Sequence, residues 1–174
     1  MAFIHSNSMG WHEGEQKMHS LMHTPSFEEN PTSPFLTPGG AHLLQTAPLL
    51  ALGTLDREGW PWTALWGGEP GFARSLGSSV VGIKNLVERQ YDPVAQALLG
   101  EQEDGEVFRK NGQEHFVSGL AIDLSARRRV KFAGHLMAGA LGRSATEPAE
   151  EDSKTAEAQV VLKINSSLGK MFFH

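Results

Sequence analysis

The tightest constraint on this chain lies between Leu49 and Phe72, LLALGTLDREGWPWTALWGGEPGF. Leu49 to Leu55 is a short, nearly continuous apolar run. At that length, bounded by turn residues, it predicts a buried strand rather than a helix. Asp56-Arg57-Glu58-Gly59 follows, with the glycine placed to take a positive φ at the end of a tight connection. The chain returns through Trp60 to Trp66, rich in aromatic and β-favouring side chains. Pro61 has no N–H for a ladder, so it belongs at the strand's first residue or on an edge. Gly67-Gly68 ends this strand, and Pro70-Gly71 supplies a second turn. The expectation is a β-hairpin with an indole-rich second strand.

The rest of the chain adds short elements around that hairpin. The residues up to about Met9 are expected to be loosely packed. Trp11 to His23 predicts a helix, with Trp11, Met18, Leu21 and Met22 on one apolar face. Thr24 to Gly40 carries Pro25, Pro31, Pro34 and Pro38 and reads as a connector. Ala41 to Thr46 predicts a short helix, and Ser79 to Ile83 a third strand, while Lys84 to Arg89 fits no one state. Asp92-Pro93 is a helix start, with Asp as N-cap and Pro at the first helical position, and Gly100 ends that helix. Glu101 to Gly112 reads as a loop. His115 to Leu124 and Arg128 to Ala140 predict two longer strands joined by Ser125-Ala126-Arg127. Gly142 to Thr155 is a polar, acidic segment expected to be mobile, and Gln159 to Ile164 a final strand.

About six strands, mostly antiparallel neighbours, tend to close on themselves and so avoid bare edges. The predicted fold is mainly β with peripheral helices: a six-stranded antiparallel split β-barrel forming a single domain over 1–174. Within it, 1–46 would hold the N-terminal helices and connector, 47–140 the barrel core, 141–156 the acidic loop and 157–168 the final strand.

A net charge of -5 argues against nucleic acid or an anionic membrane as a general partner, since either usually calls for a basic face. The chain has no cysteine, which excludes disulfides and thiolate chemistry. MAFIHSNSMG lacks the basic start and apolar core of a secretory signal, and no apolar run approaches membrane-spanning length. A cytoplasmic location is expected.

Three motifs stand in order along the chain: Trp11-His12-Glu13-Gly14-Glu15, the hairpin segment Asp56 to Phe72, and the run Gly119 to Gly134 with its Arg-rich turn. Together they resemble the pyridoxamine 5′-phosphate oxidase-like family of FMN-binding split-barrel proteins, and more narrowly a bacterial and fungal subgroup of it. The resemblance implies a homodimer holding FMN between its subunits. It also implies a flavin-dependent oxidation or reduction of a small-molecule substrate, with NAD(P)H or a reductase as electron donor. On this resemblance Trp62, Thr63, Ala64 and Leu65 lie along the flavin ring, where indoles and apolar residues supply a stacking surface. Lys84 and Arg128 lie nearest the phosphate.

The chain departs from the family in three places. Pyridoxamine phosphate oxidase carries an Arg on the second hairpin strand and a Ser-Arg-Lys run after the third, where this chain reads Thr63-Ala64-Leu65 and Lys84-Asn85-Leu86. Relatives commonly close on Asn-Cys-Pro-Lys-Tyr, whereas this sequence reads Ser167 to His174.

Other readings of these residues stand beside that one. Trp62 and Trp66 fit a hydrophobic core as well as a flavin site, and the three arginines 127–129 fit a solvated turn. Alternation along a strand would send Arg127 and Arg129 one way and Arg128 the other. His12, Glu15, His19 and His23 share one helical face and could ligate a transition metal, although capping or packing is the expected role of His12 and Glu15. At the level of function, the alternatives are a non-catalytic flavin-binding or interaction module and a relative that uses heme or F420.

Overall fold

A computed structural model of the chain describes residues 10–24, 31–100, 105–109, 115–143 and 155–170. The expectations for 1–9, for most of the acidic segment 142–155 and for parts of the connector and of the loop after Gly100 lie outside the described residues. The elements run α1 (Glu13–Leu21), α2 (Pro38–Thr46), β1 (Leu49–Leu55), β2 (Pro61–Gly67), β3 (Ala73–Gly77) and β4 (Val80–Glu88). They continue with α3 (Pro93–Leu99), β5 (Phe108–Arg109), β6 (Phe116–Asp123), β7 (Arg128–Gly142) and β8 (Thr155–Lys170).

Among the described residues, eight strands form one antiparallel sheet ordered β2-β1-β6-β7-β8-β4-β3, with β5 pairing β7 beyond the point where β6 ends. β2 approaches β4 without pairing to it, so the sheet curls into a barrel left open along that seam. This is a split barrel of eight strands rather than the six expected. β3 and β5 are the additions. β4 also runs on through Lys84 to Glu88, and β8 extends well past both ends of the predicted final strand.

Each strand turns alternate side chains inward. Leu50 and Leu52 of β1, Trp66 of β2, Val81 and Ile83 of β4, Val117 and Ala121 of β6, and Val160 and Leu162 of β8 meet in one core. That core removes large aliphatic and aromatic surface from water, the dominant favourable term in folding. α2 adds Leu43 and Leu44, and α3 adds Val94, Leu98 and Leu99. A paired position in the wall explains one glycine. Gly119 lies opposite Phe132, and a Cβ there would run into the Phe132 ring.

Local sequence rules place the two elements that frame the site. The hairpin forms in the expected register, with Leu55 opposite Pro61 and Leu49 opposite Gly67. Pro61 opens β2, which ends the sheet, so its missing N–H breaks no ladder. Gly59 has φ 85°, as the turn requires. α3 begins as predicted: Asp92 Oδ1 accepts from Ala95 N–H at 2.8 Å, with Pro93 at the first helical position. The other oxygen of Asp92 accepts from the buried Trp66 indole N–H at 2.8 Å. One carboxylate therefore caps α3 and pins it to β2.

At the N-terminus, His12 and Glu15 form a reciprocal cap on α1: Gly14 N–H donates to His12 Nδ1 at 3.1 Å, and His12 N–H donates to Glu15 Oε2 at 2.8 Å. This is the capping role expected of that motif. The His19 ring sits edge-on to Trp11. Among the described residues no cluster of three His, Asp or Glu side chains is placed to hold a metal ion. Among them, too, no helix is long and apolar enough to cross a membrane.

Candidate binding cleft between the hairpin turn and helix α3

A cleft of about 720 Å³ opens where the β1–β2 turn faces α3. Asp56, Arg57 and Glu58 of the turn and Trp62 of β2 form one wall. Arg89 and Gln90, which follow β4, and Pro93, Gln96 and Ala97 of α3 form the other. Gln96 ties the second wall together, its amide donating to the carbonyl oxygens of Arg89 and Gln90.

The two indoles of β2 have separate fates. Trp62, Ala64 and Trp66 share the inward phase of the strand. Trp66 lies deep in the barrel at 1% exposure, which settles it as a core residue. Trp62 stands at the mouth, where the barrel has no more core to offer, and stays 46% exposed along the cleft.

Asp56 fixes the indole of Trp62. Its Oδ2 accepts from Trp62 Nε1 at 2.8 Å, and its Oδ1 accepts from Trp60 N–H at 2.8 Å. The turn is closed further by Asp56 N–H donating to Trp60 O and by Gly59 N–H donating to Asp56 O. The indole hydrogen bond, followed by those of the turn's backbone, holds the Asp56 carboxyl below its ordinary range.

The six residues expected around a flavin do not converge within one chain. Only Trp62 lines this cleft. Thr63 and Leu65 face the outer side of the sheet, with Thr63 on a separate shallow trough of about 480 Å³. Ala64 packs against the barrel core.

Lys84 lines a third cavity of about 540 Å³, together with Phe72, Arg74, Leu76 and Ala138. Its ammonium is paired with Glu157 Oε2 at 2.9 Å. Burial alone would raise the Glu157 carboxyl, but hydrogen bonds from Lys84 and Gln159 and the charge of Lys84 bring it below its ordinary range. Arg128 is exposed at the start of β7, opposite Asp123. Lys84 pairs with Gln159, which pairs with Ala140 at the far end of β7. At roughly 3.3 Å per residue, about 40 Å of strand separates the levels of Lys84 and Arg128, so one phosphate cannot touch both within a single copy. Arg127 belongs to the turn, with φ 52°, and not to the strand alternation.

Asp56, Arg57, Arg89, Gln90 and Gln96 were not foreseen as site residues. Their signal is positional, since the Asp92-Pro93 helix start lies just after Arg89-Gln90 and has to fold back against the hairpin.

No family model matches the sequence, and no curated protein matches it. Among solved structures the chain is similar to a candidate pyridoxamine 5′-phosphate oxidase from Lactobacillus delbrueckii, at 15% identity and a TM-score of 0.46, covering 78% of this chain and 95% of that one. It is similar to a HupZ variant from Group A Streptococcus at 12% identity and a TM-score of 0.44, covering 78% and 99%. An F420 reductase matches at 15% identity and a TM-score of 0.43, covering 75% and 98%. The split barrel follows from the strand order and register of this chain itself.

Proposed function

We propose that this chain binds a flavin, FMN, in the cleft between the β1–β2 turn and α3, and that it serves a flavin-dependent oxidation or reduction of a small molecule. The observation that carries this reading is the make-up of the cleft: an indole held in place, two guanidinium side chains, two amides and the carboxylates of Asp56 and Glu58 around about 720 Å³, with Asp56 already engaged by Trp60 and Trp62. That volume falls within the usual range for small-molecule sites. A flavin needs a stacking surface for its ring and donors for its phosphate, and the residue types present fit both needs.

Trp62 would face the ring, while Arg57 and Arg89 would lie toward the phosphate and Gln90 and Gln96 would hydrogen-bond polar edges. When bound, the flavin would carry the electron transfer and the protein would bind and orient it. A homodimer belongs to the same reading. Across the outer face Thr63, Gly53, Ser118, Ala133 and Ser166 occupy directly paired positions on five neighbouring strands. This small-residue row lies beside Leu65, Leu120, Lys131 and Leu168 and lines the shallow trough that a second copy would cover. Lys84 and Arg128 could meet one ligand only if two copies supplied them.

FMN titrated into the purified protein, followed by quenching of flavin fluorescence, tests the reading. Stoichiometric binding by a species of twice the chain mass in light scattering is expected, and a monomer that leaves flavin fluorescence unchanged would overturn it. A non-catalytic flavin carrier is the second reading, favoured by Asp56: both oxygens of this cleft carboxylate are engaged within the turn. Flavin binding without turnover by NADH or NADPH would support it.

A further inference from the structure

We propose that Asp56 is the positioning residue of the cleft, holding the Trp62 indole as a fixed platform on which a planar aromatic ring stacks. The proposal rests on the flavin reading and deepens it, assigning the ring rather than the phosphate to this wall.

Trp62 is the large aromatic side chain of the cleft. A half-exposed tryptophan normally samples several rotamers, and ordering it on binding costs entropy. Here the Nε1–H is already bonded to Asp56 Oδ2. The carboxylate is itself fixed through its other oxygen to Trp60 N–H, within a turn closed by two backbone hydrogen bonds. The platform is therefore set before a ligand arrives. The N–H edge is satisfied within the protein, so the indole has its π-face to offer a ligand rather than a donor. Planar aromatics are the chemistry that such a surface recognises.

The alternative role for Asp56 is purely local, stabilising the turn through Trp60. A double-mutant cycle separates the two. Flavin affinity is measured by fluorescence quenching for wild type, Asp56→Ala, Trp62→Phe, the double variant and Trp62→Ala, with both FMN and riboflavin, and with thermal unfolding and near-ultraviolet circular dichroism as controls of folding. Trp62→Ala is expected to weaken both ligands about tenfold, the scale of losing one aromatic stack. Asp56→Ala is expected to weaken them about 3- to 10-fold, the scale of one net hydrogen bond lost from an indole that the ligand can still reach. Trp62→Phe keeps a ring but has no N–H for Asp56, so adding Asp56→Ala there should change affinity less than about twofold.

An equal loss from Asp56→Ala in both backgrounds would overturn the proposal while leaving flavin binding intact. Flavin binding that ignores Trp62→Ala would do the same. Wild-type protein that binds neither FMN nor riboflavin would overturn the proposal together with the reading beneath it. Should Asp56→Ala fail to fold, Asp56→Asn carries the same cycle, since its NH2 group replaces one of the two oxygens that accept from Trp60 and Trp62.

Discussion

Replacing Asp92 by alanine should destabilise this protein by about 2–4 kcal/mol, which can be worked from two hydrogen bonds. The first is the cap: Asp92 Oδ1 accepts from Ala95 N–H at 2.8 Å, and losing an aspartate N-cap costs about 1 kcal/mol. The second is the indole. Trp66 is 1% exposed, and its Nε1–H reaches Asp92 Oδ2 at 2.8 Å. Alanine leaves that buried donor without a partner, at a cost of about 1–3 kcal/mol. For a chain of this size the sum corresponds to a fall in Tm of roughly 5–15 °C.

Urea unfolding followed by tryptophan fluorescence and by circular dichroism gives the free energy directly. Trp66→Phe supplies the control: with no indole N–H to strand, Asp92→Ala should then cost only the cap, about 1 kcal/mol. A loss below about 1 kcal/mol in the wild-type background, or the same loss in both, would refute the claim that one carboxylate pins α3 to β2.

Three further outcomes follow from the same structure. Gly119→Ala should cost about 1–3 kcal/mol in urea unfolding, because its Cβ would occupy the space of the Phe132 ring, whereas Gly59→Ala would meet no neighbour and would be strained only through its φ of 85°. Lys84→Ala should lower stability at pH 7 through loss of the Glu157 pair, by about 1 kcal/mol or less because Lys84 is largely exposed. Glu157 is held below its ordinary range, so its contribution is present above the usual carboxylate pKa and is lost as pH falls through the folded value; wild type and Lys84→Ala should therefore converge in stability as pH falls from 7 to 3. Ser167→Ala should cost about 1 kcal/mol and loosen the connector, since Ser167 Oγ donates to Phe35 O at 2.6 Å and its backbone pairs with Ser33; hydrogen exchange of the Ser33 amide reads that directly.

Much of the fold was legible because its rules are local. β1 announces itself as seven residues between turn signals, Pro61 marks the start of an edge strand, and Asp92-Pro93 starts α3 where the cap geometry requires. β4 was legible further than expected, since Val81, Ile83, Asn85 and Val87 alternate inward against Lys84, Leu86 and Glu88. That period of two runs straight through the stretch left open. β3 was not legible: Ala73–Gly77 buries only Ala73, and sits at the end of the sheet where nothing demands an apolar pattern. β5 has two residues and exists only because β7 outlasts β6.

The site was harder to foresee, because a ligand cleft depends on which strand ends meet. Trp62 carried a local signal, an aromatic in a hairpin strand. Lys84 and Arg128 looked alike as cations near turns, and only strand register reveals that Lys84, on β4, is level with the end of β7 opposite to Arg128. Arg89 and Gln90 gain their place from the fold-back of α3, a long-range contact that a pattern of neighbours cannot show.

The most direct test of the central claim is a crystal structure of the protein grown with FMN. Ring density is expected against the Trp62 indole, between the Asp56 turn and α3, with the indole still bonded to Asp56. Flavin density on the opposite face of the hairpin beside Thr63 and Leu65, or an empty cleft at saturating FMN, would contradict it.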